Sequence, residues 1–268
     1  MPKLIVKPKK KSGRVTSVTP KSAKWKYVGH DVWKTPKGKI AKGVEEKRET
    51  CLVFISGKGR VKVGGKDLGV IGDRMNVFEG KPWSVYVPPK TKWSVTAETD
   101  VVLNVCTAPA KGKFETRIIS PDSLSVETRG KGSNTRYVTM ILPETDPLVE
   151  SLLVVEVITP NGNTSSYPPH KHDKLNLPKE SLLEETYYHR LNPPQGFAFQ
   201  RVYTDDRKLD EAMAVEDGDV VLVPKGYHPC ATIHGYDLYY LNVMAGPVRT
   251  WKFHNAREHE WMMISPTK

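Results

Sequence analysis

VPPKTKWS at Val87–Ser94 and VPKGYHPC at Val223–Cys230 align without a gap, and each is followed by a strand-like run, VVLNVCTAP at Val101–Pro109 and LYYLNVMAGP at Leu238–Pro247. A gapless internal match of this kind implies two similar domains. Working outward, the same texture continues in VFISG, RVKVGG, SVYVPP, LLVVEVITPNGN, FAFQRVY and DVVLVPKG. Short β-rich runs broken by Gly, Pro and Asn, with little helical periodicity, predict an all-β sandwich or barrel. Gly57-Lys58-Gly59, Gly64-Gly65 and Asp217-Gly218-Asp219 fall where hairpins need positive φ or an Asx turn. No phosphate-loop motif accompanies them. The length of 268 residues suits two such domains.

The formal charge of +11 is unevenly spread. Residues 1–48 hold 15 Lys or Arg against Asp31, Glu45 and Glu46, so the rest of the chain is close to neutral. We read residues 1–18 as a basic, flexible arm, 19–147 as a first, degenerate domain with the segment that crosses to the second, and 148–268 as a second domain. Without stacking aromatics or a reading helix, the basic end is a solvated extension rather than a nucleic-acid site. The longest uncharged apolar run, Leu238 to Val248, is too short to span a bilayer. The N-terminus lacks a secretory pattern, so the cytoplasm is the expected compartment. Cys51, Cys106 and Cys230 are widely spaced among apolar neighbours and read as reduced, buried thiols.

The two copies differ in chemistry, because His228 of the second aligns with Lys92 of the first. In the second half, His170-Lys171-His172 places two imidazoles two residues apart, on one face of an extended run. Glu185 opens the strand-like Glu185-Thr186-Tyr187-Tyr188-His189, and His228 follows a Pro-Lys-Gly turn. Three imidazoles and a carboxylate make a cage for a divalent first-row metal with room for substrate oxygens. That combination points to a cupin. Glu184 competes with Glu185, since strand alternation turns only one of them inward.

Longer motifs sharpen this. SSYPPHKHD, LEETYYHRLNPPQGFAFQRVYTDD, DGDVVLVPKGYHP, GYDLYYLNVMAGPVRTWKF, and RGKGSNTR at Arg129–Arg136 closely resemble the 5-deoxy-glucuronate isomerase family of inositol catabolism. The resemblance runs from Thr19 to Trp261 and implies a bicupin, two tandem jelly-roll (double-stranded β-helix) domains. It further implies an aldose–ketose isomerase converting 5-deoxy-D-glucuronate into 5-dehydro-2-deoxy-D-gluconate. Its metal would be held by His170, His172, Glu185 and His228, with Zn, Mn, Fe and Ni equally compatible. Tyr187, His189, Tyr240 and Lys174 are candidates for proton transfer, beside Tyr239. Arg201, an arginine bracketed by apolar strand residues, is the first candidate for the substrate carboxylate and Arg136 the second. The implied partner is a small sugar acid, with a homo-oligomer open as the assembly and no membrane involved. A related uronate isomerase, a metal-dependent cupin dioxygenase and a non-enzymatic sugar-acid-binding cupin are the alternatives.

Overall fold

The computed structural model describes residues 4–263. The first half runs through β1 (Ile5–Val6), β2 (Gly13–Val18), β3 (Gly29–Thr35), β4 (Ile40–Gly43), β5 (Arg48–Ser56), β6 (Gly59–Val63), β7 (Lys66–Ile71), β8 (Ser84–Val87), β9 (Trp93–Ala97), β10 (Val101–Pro109) and β11 (Arg117–Ile119). The second half runs through β12 (Val126–Arg129), β13 (Arg136–Leu142), β14 (Leu153–Thr159), β15 (Thr164–Ser165), β16 (His170–Lys171), β17 (Asp173–Asn176) and β18 (Glu180–Leu182). It continues through β19 (Glu184–Asn192), β20 (Phe197–Tyr203), β21 (Asp210–Glu216), β22 (Val220–Val223), β23 (Cys230–Thr232), β24 (Asp237–Ala245) and β25 (His254–Asn255).

Each half is a barrel made of a large antiparallel sheet and a four-stranded one. The large sheets are ordered β11-β8-β5-β10-β3-β2 and β1-β22-β19-β24-β14-β13-β12; the small ones are β4-β9-β6-β7 and β15-β23-β20-β21. Period-two alternation fills the barrels. In the first, Leu52, Phe54, Val61, Val85, Trp93 and Leu103 point inward; in the second, Val155, Val157, Tyr187, Val221, Tyr240 and Met244 do. The opposite faces of the two large sheets meet in a third core that includes Cys51, Val53, Cys106, Tyr188, Tyr239 and Leu241. All three cysteines are buried and free.

Polar contacts fix how the barrels dock. Glu49 on β5 accepts the backbone N–H groups of Glu150, Ser151 and Leu152, which lead into β14. Glu184 on β19 accepts those of Lys26, Tyr27 and Val28, which lead into β3. The two clasps are reciprocal. Between them, Arg74 and Glu156 form a buried bidentate pair at 3.0 and 2.8 Å, and the Tyr239 hydroxyl donates to the same carboxylate.

Two boundary readings need correction. The basic arm, over its described part from Leu4, is not a flexible extension. Leu4 is 2% exposed in the second barrel's core, β1 pairs with β22, and Lys7 bridges Glu216 and Asp219. The apolar triplet Leu4-Ile5-Val6 covers an open sheet edge, after which β2 joins the first barrel beside β3; residues 1–3 lie outside the described residues. The crossing segment is likewise structural: β11 closes the edge of β8, while β12 and β13 already belong to the second barrel's large sheet. Among the described residues, no helix is long and apolar enough to cross a membrane.

Candidate metal centre

On β19 the alternation divides neighbouring side chains between two surroundings. Glu184, Thr186 and Tyr188 face the first barrel, where Thr186 Oγ1 lies 2.8 Å from His30 Nδ1. Glu185, Tyr187 and His189 face the interior of the second, and Glu184 is spent on its clasp. Inside, one donor atom each from His172, Glu185 and His228 lies within 4.8 Å of the other two, and all three residues are buried.

The local backbone aims these donors. His172 Nδ1 donates to the Leu183 carbonyl at 3.1 Å and His228 Nδ1 to the Gly226 carbonyl at 2.8 Å, which turns both Nε2 atoms toward Glu185 Oε2, at 2.9 and 3.2 Å. Gly226 has φ +89°, and a Cβ there would lie 2.3 Å from the Tyr203 carbonyl, so only glycine suits the turn. Lys171, between the two histidines in sequence, points away and is buried against Asp173 at 2.9 Å and Glu180 at 3.4 Å. Asp173 in turn accepts from the Gly226 N–H at 2.9 Å, which ties the two histidine segments together.

The electrostatics suit a cation. Burial pushes the Glu185 carboxyl up, but the imidazoles of His228 and His172 outweigh it and hold it at about 2. Burial works against a charged His172, yet its bond to Glu185 raises it above the ordinary histidine value. The buried His228 Nε2 has no hydrogen-bond partner among the described residues despite its closeness to Glu185. An orphaned imidazole nitrogen beside a carboxylate, with the other ring nitrogen fixed on a carbonyl, is what a metal-ligand set requires. His170 borders the three, its ring nearer to His228 than the 5.0 Å that separates the His172 and His228 rings. Its ring centroid is 4.8 Å from that of His228 and 6.3 Å from that of His172, and it leans on Phe253 at 4.6 Å.

A small cavity of about 30 Å³ borders this cluster, lined by Glu185 and His170 at one end and by Arg136 and Arg129 at the other. Tyr187 and Tyr240 line its middle; their hydroxyls lie 3.0 Å from Ser166 Oγ and 2.6 Å from Ser165 Oγ. Burial raises both phenols above the ordinary tyrosine value. His189 lies beneath them, with Nε2 donating to Gln200 Oε1 at 2.9 Å. Arg136 Nη1 donates to the carbonyl and side-chain oxygens of Asn134, and no carboxylate pairs with this guanidinium among the described residues. Arg129, directly opposite it across the β12–β13 pair, is held by Glu127 and lies over the Trp251 ring.

Three candidates lie elsewhere. Arg201 faces outward on β20 and pairs with Asp210 at 2.7 Å, because the alternation turns Ala198, Gln200 and Val202 inward instead. Lys174 is 63% exposed and pairs with Asp205. Tyr239 faces the first barrel. Asn242 and Gln200 escaped the sequence reading of the site; the two-residue period from Tyr240 was the available signal for Asn242.

The family model described as KduI/IolB matches residues 4–262. A 5-deoxy-glucuronate isomerase from Geobacillus kaustophilus is 56% identical over 254 residues, covering 94% of this chain and 92% of its own length. The crystal structure of an IolB-like protein from Salmonella typhimurium superposes with a TM-score of 0.95 at 52% identity, covering 98% of this chain and all of its own. Oxalate decarboxylase from Bacillus subtilis superposes with a TM-score of 0.65 at 14% identity, covering 99% of this chain and 82% of its own, and shares the fold alone. The architecture is the all-β bicupin.

Proposed function

The chain belongs to the KduI/IolB family, and we propose that it catalyses the aldose–ketose isomerisation of 5-deoxy-glucuronate in the cavity of its second barrel. The observation that carries the reading is the run of that cavity from a buried His172–Glu185–His228 cluster to an unpaired guanidinium. In this reading His172, Glu185 and His228 hold a divalent metal, and His170 completes the set by turning its ring off Phe253. When bound, the ion supplies Lewis acidity to the substrate's carbonyl and neighbouring hydroxyl, which acidifies the C2 proton.

The protein's own groups bind and orient the substrate. Tyr187 and Tyr240 stay protonated because burial disfavours their phenolates, so each serves as a hydroxyl donor to a substrate oxygen, with Ser166 and Ser165 fixing its direction. His189 and Gln200 brace the tyrosines from below. Arg136 binds the substrate carboxylate: Glu127 already pairs with Arg129 opposite it, whereas no carboxylate among the described residues pairs with Arg136. The test is turnover of 5-deoxy-glucuronate by purified protein, with and without a chelator. Ketose formation that stops with chelation and returns with added metal is the expected result; absence of ketose at any metal loading overturns the proposal.

A further inference from the structure

The register of the large sheet orders the side chains that face the second barrel's cavity. Glu185 and Tyr187 stand on β19, Tyr240 and Asn242 on β24, Val157 on β14, Val138 and Arg136 on β13, and Arg129 on β12. Val157 lies directly opposite Tyr240 on one side and Val138 on the other. Both valines are buried, at 3% and 2% exposure, and they are the two aliphatic members of the lining among the described residues. Trp251 adds an aromatic face beside Arg129, and the rest of the wall offers polar groups: Ser166, both tyrosine hydroxyls, and Asn242, whose buried Nδ2 has no partner among the described residues.

We propose that Val138 and Val157 are specificity-determining residues that select a sugar acid lacking the C5 hydroxyl. The inference rests on the isomerase reading above and deepens it. A six-carbon substrate with C1 and C2 at the metal cluster and its C6 carboxylate on Arg136 lays C3 and C4 along Tyr187, Tyr240 and Asn242. C5, next to the carboxylate, then lies over the valine pair, which separates Tyr240 from the guanidiniums. A methylene packs there without loss, whereas a hydroxyl gives up its water for a wall that offers neither donor nor acceptor. The match is chemical: the hydroxyl-bearing carbons face polar groups and the one deoxy carbon faces the apolar pair.

The test compares 5-deoxy-glucuronate with D-glucuronate, which differs by that hydroxyl. The readout is the KM of the first against the competitive inhibition constant of the second, so glucuronate need not be turned over. Glucuronate is mostly closed into a ring through its C5 oxygen, but that fraction is the same for every variant and cancels between them. The wild type should favour the deoxy sugar by about a hundredfold, the range in which an apolar pocket rejects an added hydroxyl, and Val157→Thr or Val138→Thr should shrink the preference by about tenfold. Val138→Ala, which adds space without a polar group, should weaken both sugars alike. A wild type that binds the two sugars equally, once the open-chain fraction is allowed for, overturns the inference even if both threonine variants misfold. So does an unchanged preference in folded threonine variants. Failure of the wild type to convert 5-deoxy-glucuronate at all is a different result and overturns the isomerase reading itself.

Discussion

The two barrels share a frame and differ in what fills it. Glu185 pairs with Val223 and Tyr187 with Val221; at the matching places in the first barrel, Thr50 pairs with Val87 and Leu52 with Val85. The His189 N–H donates to the Asp219 carbonyl as the Phe54 N–H does to that of Trp83. Carboxylate, phenol and imidazole in one barrel thus correspond to Thr50, Leu52 and Phe54 in the other, and His228 corresponds to Lys92. The first barrel closes on an apolar core that includes Phe54, Trp93 and Leu103. The second keeps a polar cavity at the same depth. One fold therefore serves as support where its inward row is apolar and as a candidate site where that row carries ionisable side chains.

The sharpest way to break this comparison is to exchange its key position. His228→Ala should lose metal by elemental analysis and slow turnover by about a thousandfold, the scale set by removing electrostatic stabilisation of the reacting oxygens, while Lys92→Ala should change neither. Metal lost with Lys92, or kept without His228, would place the ion in the wrong barrel. The same assay distinguishes Glu185→Gln, which should lose metal, from Glu184→Gln, which should keep it.

Next in size is the joint between the barrels. Arg74→Ala leaves Glu156 buried and charged without its partner, and chemical denaturation should show a loss of about 3–5 kcal/mol. A loss below about 1 kcal/mol would mean that water reaches Glu156 and that the barrels dock more loosely than described.

A pH series compares the two barrels directly, because each holds a buried neutral histidine. Burial lowers His30 and His189 to about 4. Their folded values lie below the unfolded histidine value of about 6.5, so the native state binds fewer protons. The stability they protect is fully present above about pH 6.5 and is lost as the pH falls toward 4, up to about 3 kcal/mol for each. His30→Asn should remove roughly half of that slope. An unaltered slope would assign the whole effect to the second barrel.

The smallest effect concerns the arm. Deleting residues 1–7 removes the buried Leu4 and strand β1, which should cost about 2 kcal/mol, yet leave turnover within a few-fold because neither lines the cavity. A large fall in kcat at 25 °C, with the protein still folded, would contradict that separation of support from site.

The barrels were legible because turn residues and period-two runs are local signals, and the repeat at Val87 and Val223 tied them together. The phase of a strand is less local. Glu184 and Glu185 are chemically alike, and only the docking of the first barrel's Lys26–Val28 loop decides which of them is spent outside. Arg201 was misread because its apolar neighbours Phe199 and Val202 suggest a buried row, whereas Phe199 itself faces outward at 51% exposure. In the arm, the lysines at 7 and 9–11 masked Leu4-Ile5-Val6, whose role depends on an edge strand more than 200 residues away. Arg136 was visible as a charge but not as an unpaired one, since pairing is a tertiary property.

The reciprocal glutamate clasps have a mechanical consequence. Swinging one barrel away from the other would strip six backbone amides and two carboxylates of their partners in the same motion, with the Arg74–Glu156 pair broken besides. A hinge at this seam therefore has no cheap partial opening, and the pair of barrels moves as one body up to global unfolding. Gating of the cavity falls to the short segments at the mouth of the second barrel. There the two-residue β16 carries His170 against Phe253, and Trp251 lies over Arg129. Substrate entry and product release become the business of a few aromatic side chains rather than of domain motion.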